Sequence, residues 1–200
     1  MESKKPDVVN EPDIEYGRYS YADYLTWEMD EMVELIKGKI FKRDIAAPAL
    51  NHQRISMRLS VQFFNFLKGK TCQVFHAPFD VRLPAKSKKN SDIDTVVQPD
   101  ICVVCDESKL DKAGCLGEPD LVVEILSPGN NKRELKNKFE VYEEAGVKEY
   151  WVIHPNEQTL LIYSLVDGRY QASRFFVPED EVTSACLPGF TLDLEDIFGQ

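Results

Sequence analysis

Glu124 lies in the run Leu121-Val122-Val123-Glu124-Ile125-Leu126, an acidic residue among apolar neighbours. Alternation along a strand sets Val122, Glu124 and Leu126 on one face. A carboxylate there is costly unless something compensates it. For a single residue, a buried salt bridge or a strand end reaching solvent explains the pattern about as well as chemistry does. Two further acids sit in similar company. Asp100 precedes the apolar stretch Ile101-Cys102-Val103-Val104, and Asp80 lies in Phe79-Asp80-Val81-Arg82-Leu83. If these strands are neighbours, up to three carboxylates converge, and their mutual repulsion makes a cation the natural partner. A few oxygen ligands with positions left open suit Mg²⁺ or Mn²⁺. After Glu124, the residues Leu135, Phe139 and Tyr142 form an apolar helical stripe with Lys138 on its inward edge. Such a lysine ordinarily snorkels, stem buried and head solvated. Beside Asp100 and Glu124 it becomes a candidate catalytic cation.

The elements that must carry these groups follow from periodicity and punctuation. Ser20 reads as the N-cap of a short helix. Residues 33–45 read as two short strands around Lys37-Gly38-Lys39. Beyond Pro48, Ile55, Leu59, Phe63 and Phe66 recur at helical spacing, predicting a helix from about Asn51 to Lys68 that stops at Gly69. Strands are expected at 72–77 and 79–83, parted by Pro78, and again within 96–105, after an exposed lysine-rich loop at 86–95. The nearly continuous apolar run at 120–127 suits a central strand buried on both faces. A break at Ser127-Pro128-Gly129-Asn130 leads into a helix from about Asn131 to Ala145. A buried strand over 149–155 and a hairpin turning at Asp167-Gly168 follow, with a short strand or helical turn in the tail. Tyr142 and Trp151 read as core aromatics without a catalytic role. The order predicts a mixed α/β domain around one sheet, with residues 1–18 as a flexible lead-in and 19–200 as a single domain.

Composition narrows the classes. Hydrophobic residues at 43% and charged residues at 29% rule out disorder across the chain. No apolar run approaches the ~20 residues of a membrane span, and the first residues carry no apolar signal core, so a cytoplasmic protein without a membrane partner is expected. The net charge, 24 − 34 = −10, counts against non-specific coating of nucleic acid but leaves room for a nuclease, whose local charges decide. Lys86, Lys88 and Lys89 form one basic loop, and Lys132, Arg133, Lys136 and Lys138 form a second cluster. Both are candidate phosphate-contact surfaces, although solubility explains most lysine runs. The five cysteines do not resemble a secreted disulfide framework. Cys102 and Cys105 have C-x-x-C spacing but lie in a strand and lack a second pair, so no zinc site is expected.

Pro99-Asp100, Glu124 in its apolar strand and Lys138, in that order, resemble the PD-(D/E)XK nuclease superfamily, and more closely its Uma family. The resemblance runs over about residues 20–198. It is carried by Tyr21-Ala22-Asp23-Tyr24-Leu25, Glu34-Leu35-Ile36, His52, Ala77-Pro78 with Asp80, Gln98-Pro99-Asp100-Ile101, the run from Gly117 to Pro128, Arg133, Lys138, Tyr142, Ala145-Gly146-Val147 and Glu149-Tyr150-Trp151-Val152-Ile153. Position 126 is Leu where the superfamily usually has lysine, and Lys138 matches the Uma arrangement in which the following helix supplies it.

The resemblance implies a restriction-endonuclease-like core, a central mixed β-sheet flanked by helices, and a metal-dependent phosphodiesterase. Asp100 and Glu124 would hold Mg²⁺ or Mn²⁺, with the Ile125 carbonyl and Asp80 as further ligands and Lys138 orienting the attacking water. Glu34 would line the site, its pairing with a basic residue being an equal expectation. His52, Lys88, Lys132 and Arg133 would contact nucleic acid, expected to be DNA, and cutting both strands of a duplex would suit a homodimer. Two rivals stand beside this reading. One is a non-catalytic binding or regulatory protein that keeps the nuclease fold. The other is an unrelated metal hydrolase acting on small phosphate esters in a closed pocket.

Overall fold

The computed structural model describes residues 18–28, 33–42, 50–127 and 132–199. All but the last residue of the expected lead-in lie outside these, as do Pro48 and most of the break at 127–130. The first helix, α1 (Tyr21–Tyr24), is closed by a capping box between Ser20 and Asp23. Strands β1 (Val33–Ile36) and β2 (Lys39–Lys42) form a hairpin. Its two turn residues, Lys37 and Gly38, have φ of 51° and 77°, the type I′ geometry that suits strand twist. Helix α2 (Leu50–Leu67) follows. Next come β3 (Gln73–His76), β4 (Val81–Arg82), β5 (Val96–Val97), β6 (Ile101–Val104), β7 (Leu110–Asp111), β8 (Gly114–Leu116) and β9 (Leu121–Ile125). Helix α3 (Lys132–Ala145) leads to β10 (Glu149–His154), β11 (Thr159–Val166) and β12 (Arg169–Ala172). The chain closes with β13 (Glu181–Thr183), β14 (Thr191–Asp193) and α4 (Glu195–Phe198).

The single sheet expected from the sequence is instead two six-stranded sheets and a small hairpin, ordered β2-β1-β5-β4-β8-β7, β12-β11-β10-β9-β6-β3 and β13-β14. Two prolines mark where the chain changes sheet. Pro78 follows β3 and precedes β4, and Pro99 divides the apolar run 96–104 into β5 and β6. A residue without an N–H cannot continue a ladder. Strand β9 is the hub of the second sheet, antiparallel to β6 and parallel to β10, and buried along its whole length.

Helix α2 lays Ile55, Leu59, Phe63 and Leu67 on one face of that sheet, against Trp151, Phe190 and the C-terminal elements. On the other face, Val141 and Tyr142 of α3 pack with Val81, Val97 and Cys115 of the first sheet. Full burial of a side chain such as Leu59 or Phe63 contributes roughly 1.5–3 kcal/mol. The end of the loop at 86–95 departs from expectation. Lys86, Lys88 and Lys89 are exposed, yet Ile93 and Thr95 are buried. The Ile93 carbonyl accepts the Tyr21 amide at 2.7 Å, and Thr95 Oγ1 accepts the Lys37 amide at 3.1 Å. A second departure is covalent. Cys72 and Cys105 form a disulfide, because the ladder pairing Gln73 with Val104 brings the residues just beyond it together.

Candidate functional site

The β6–β9 register builds one half of the site. Ile101 pairs with Val123 and Cys102 with Val122. One step further along this antiparallel ladder, Asp100 stands opposite Glu124 with its side chain on the same face. Asp100 Oδ2 accepts the Ile125 amide at 2.7 Å, which ties the carboxylate to the end of β9. From α2, His52 Nε2 reaches the same oxygen at 3.3 Å. His52 Nδ1 is buried and meets no hydrogen-bond partner among the described residues.

The other half lies between the two sheets. Lys138 Nζ is 3.0 Å from Glu124 Oε1 and 3.1 Å from Glu34 Oε1. Lys138 is only 2% exposed, so it does not snorkel. The second turn of its helix aims it inward between Leu135 and Tyr142. Tyr142 donates its hydroxyl to Glu124 Oε1 at 2.8 Å, and Glu34 Oε1 accepts the Gln98 amide at 2.8 Å. Burial first, then the charges of Glu124 and Glu34, push the Tyr142 phenol well up, so it stays a neutral donor. Glu34 and Glu124 thus share one buried ammonium, and Asp100, also buried, stands beside Glu124 on the adjacent strand.

Asp80 sits beside this cluster rather than within it. Its Oδ1 accepts Gln98 Nε2 at 2.7 Å and the Tyr24 hydroxyl at 3.4 Å. Burial, then Asp80, raise the Tyr24 phenol. The main chain of Asp80 is fixed by the Cys115 amide, which donates to its carbonyl at 2.9 Å. Gly114 permits that approach: a Cβ there would come 2.3 Å from the Asp80 carbonyl oxygen, at a φ of +121°. The expected convergence of Asp80 with Asp100 and Glu124 is therefore not what the fold builds. Among the described residues, no three of His, Cys, Asp and Glu gather as a metal-holding group.

The basic candidates are scattered. Lys88 is exposed, and its charge acts on Asp106, at the opposite end of β6 from Asp100. Lys132 and Arg133 open α3, but their side chains lie outside the described residues. Lys136 lies 3.7 Å from Glu140 on the helix surface. Four residues in or near the site were given no site role by the sequence reading. Gln98 links Glu34 to Asp80; its signals were a lone amide in an apolar strand and its place in the motif Gln98-Pro99-Asp100-Ile101. Tyr142, read as core alone, also bonds Glu124. Arg54 and Arg58 follow His52 on α2 and carried no signal beyond their helical spacing.

The donor set fits a hard divalent cation. Two carboxylates on adjacent strands and the Ile125 carbonyl beside them are oxygen ligands of the kind Mg²⁺ and Mn²⁺ take.

A family model described as "Uma2: Putative restriction endonuclease" matches residues 21–195. The chain is similar to an uncharacterized protein of Synechocystis, slr1290, with 27% identity over 175 residues, 83% of this chain and 87% of the relative. A crystal structure of "a putative nuclease belonging to DUF820" from Anabaena variabilis superposes with a TM-score of 0.70 at 21% identity, covering 90% of this chain and 97% of that one. The fold, mixed sheets flanked by helices, is shared with that structure.

Proposed function

The chain belongs to the Uma2 family, and from that premise we propose that it is a metal-dependent endonuclease hydrolysing the phosphodiester bonds of DNA. The observation that carries this reading is the buried arrangement of Asp100 and Glu124 on adjacent strands with Lys138 at 3.0 Å from Glu124. Asp100, Glu124 and the Ile125 carbonyl would hold Mg²⁺ or Mn²⁺, which when bound polarises a phosphate and acidifies water. Lys138 offsets negative charge that develops on the phosphoryl group. Glu34 and Tyr142 act as positioning residues, the first on Lys138 and the second on Glu124. His52 steadies Asp100 from α2. Among the described residues no helix is long and apolar enough to cross a membrane, and the cytoplasm is the proposed site of action.

Cutting both strands of a duplex calls for two such sites, and a second copy of the chain is proposed to supply the other. Helix α2 offers the surface. Leu50, Met57, Val61 and Phe64 are 64%, 67%, 46% and 60% exposed. At 100° per residue they fall on the side opposite Ile55, Leu59 and Phe63. In antiparallel self-packing about an axis between Met57 and Val61, Arg54 meets Phe64 and Lys68 meets Leu50, so no like charges face each other. Parallel packing would set Arg54 against Arg54.

The reading is tested by titrating Mg²⁺ and Mn²⁺ calorimetrically into the wild type and an Asp100→Ala/Glu124→Ala variant, and assaying both on plasmid DNA. Metal binding and nicking by the wild type, both lost in the variant, are expected. Binding without cleavage of any nucleic acid would favour the non-catalytic alternative, and a folded wild type that binds no metal would sink the proposal.

A further inference from the structure

A chain of net charge −10 must offer a polyanion some local positive surface. The charge of Lys88 acts on Asp106, at the far end of β6 from Asp100, whereas α2, which brings His52 to Asp100, also carries the described basic groups Arg54 and Arg58. Beside α2 lies a cavity of about 280 Å³, lined by Asn51, Arg54, Arg58, Pro155, Gln158 and Phe198, among others. Arg54 and Arg58 are one helical turn apart on the same flank. Arg58 donates to the carbonyl oxygens of Ile197, at 3.4 Å, and of Gly199. Those contacts orient the guanidinium and leave its charge without a carboxylate among the described residues. Arg54 is exposed and makes no hydrogen bond or ion pair with any described residue. The side-chain amides of Asn51 and Gln158 complete the polar lining.

The position of the cavity follows from the sheet. Pro155 comes directly after β10, and Asp100 directly before β6. Strand β10 runs parallel to β9, and β6 antiparallel to it. The end of β10 and the start of β6 therefore lie at one end of the sheet, two strand spacings apart, or about 10 Å. One strand of a duplex advances about 3.4 Å per nucleotide along the axis. A cavity at this offset lies within about three nucleotides of a bond held at Asp100 and Glu124. Two guanidinium groups with amide donors beside them match the oxygens of a phosphate.

We propose that this cavity binds a backbone phosphate of the substrate strand, flanking the bond that is cut. The proposal rests on the nuclease reading, and it adds Arg54 and Arg58 as the residues that make an acidic protein competent to hold nucleic acid.

The test measures equilibrium binding of a labelled 20-nucleotide duplex and its single strand in Ca²⁺ buffer across a salt series. The proteins are the wild type, Arg54→Gln, Arg58→Gln and Lys70→Gln, each first shown by light scattering to keep the wild-type oligomeric state, since Arg54 also meets Phe64 in the proposed dimer. Lys70→Gln removes one charge at the far end of α2 and serves as the control. Arg54→Gln is expected to weaken binding several-fold and to flatten the slope of log K against log salt by about 0.9 for duplex or 0.7 for single strand. Lys70→Gln is expected to leave both unchanged. Arg58→Gln should act in the same direction, and Arg54→Gln keeps the test open if the loss of Arg58 disturbs α4. An Arg54→Gln protein with wild-type affinity and slope overturns the cavity assignment and leaves the nuclease reading standing. A wild type that binds neither oligonucleotide overturns both. Inorganic phosphate is titrated in parallel. If it binds as tightly as the oligonucleotides and is lost in Arg54→Gln, the cavity serves free phosphate and the backbone assignment falls.

Discussion

The ammonium of Lys138 and the carboxylate of Glu34 meet at 3.1 Å inside the protein, 2% and 3% exposed at their side chains. Glu34 comes from β1 of the first sheet, while the other partner of Lys138, Glu124, comes from β9 of the second. The lysine therefore joins two sheets as well as two charges. Removing one partner of a buried charge cluster strands the other. Lys138→Met is expected to cost roughly 3–5 kcal/mol of folding stability as well as activity, measured by urea unfolding beside the nicking assay. A loss of activity with unchanged stability would show that the lysine is not needed to neutralise Glu34 and Glu124.

Asp100→Asn separates charge from scaffold. The amide side chain can still accept the Ile125 N–H that Asp100 now takes at 2.7 Å, so stability should change by no more than about 1 kcal/mol. Activity should fall by about 100-fold or more, as when one electrostatic stabiliser is removed from a site. The paired measurement is thermal unfolding and initial nicking rate on the same preparation.

The thiols make a pH prediction. Burial first pushes Cys115 up to about 11, and burial followed by Glu149 pushes Cys186 up to about 12. Burial also raises Cys102. At pH 8 the thiolate fraction is on the order of one in a thousand at Cys115 and lower at Cys186. Iodoacetamide should label the native protein slowly. Three sites should react in denaturant and five after reduction, because Cys72 and Cys105 are joined. Mass spectrometry counts them. Above the ordinary thiol value of 9.0 the unfolded chain releases protons that the folded one retains. Stability contributed by the neutral thiols is thus present below pH 9 and declines as pH rises toward about 12. A denaturant midpoint that stays flat between pH 8.5 and 10.5 would contradict this.

The dimer proposal is checked at Phe64, which is 60% exposed on α2. Phe64→Glu removes apolar surface from the outer face without touching the core, so folding stability should shift by no more than about 0.5 kcal/mol. Light scattering is expected to give twice 22.9 kDa for the wild type and 22.9 kDa for the variant. A wild type that runs as a monomer at every concentration would dismiss the interface.

What the sequence disclosed, and what it hid, follows from the range of the forces involved. Helix α2, strand β9 and the turn at Asp167-Gly168 were legible because their signals are local, carried by period and by turn chemistry. The inward edge of the α3 stripe located Lys138, and an isolated acid in an apolar strand located Glu124. Neither signal said that Glu34 would be the second carboxylate on the same ammonium, since that contact spans two sheets. The apolar run within 96–105 likewise marked a strand region but not that Pro99 would send its halves to different sheets. The Cys72–Cys105 bond needs the register of β3 on β6, which no local pattern encodes. Asp80 has a sequence setting like that of Asp100, and its carboxylate bonds Gln98 and Tyr24, a contact no local pattern encodes.

Gly114 offers nothing that could bind, donate or react, yet a substitution there would reach the candidate site as surely as one in it. Any side chain would meet the Asp80 carbonyl, and through Asp80 the shift would pass to Gln98, and from Gln98 to Glu34. Mutational tolerance in this protein should accordingly track backbone clearance as much as chemistry. A random-mutagenesis screen for loss of activity should recover position 114 alongside the acids, with replacement by alanine already enough to score.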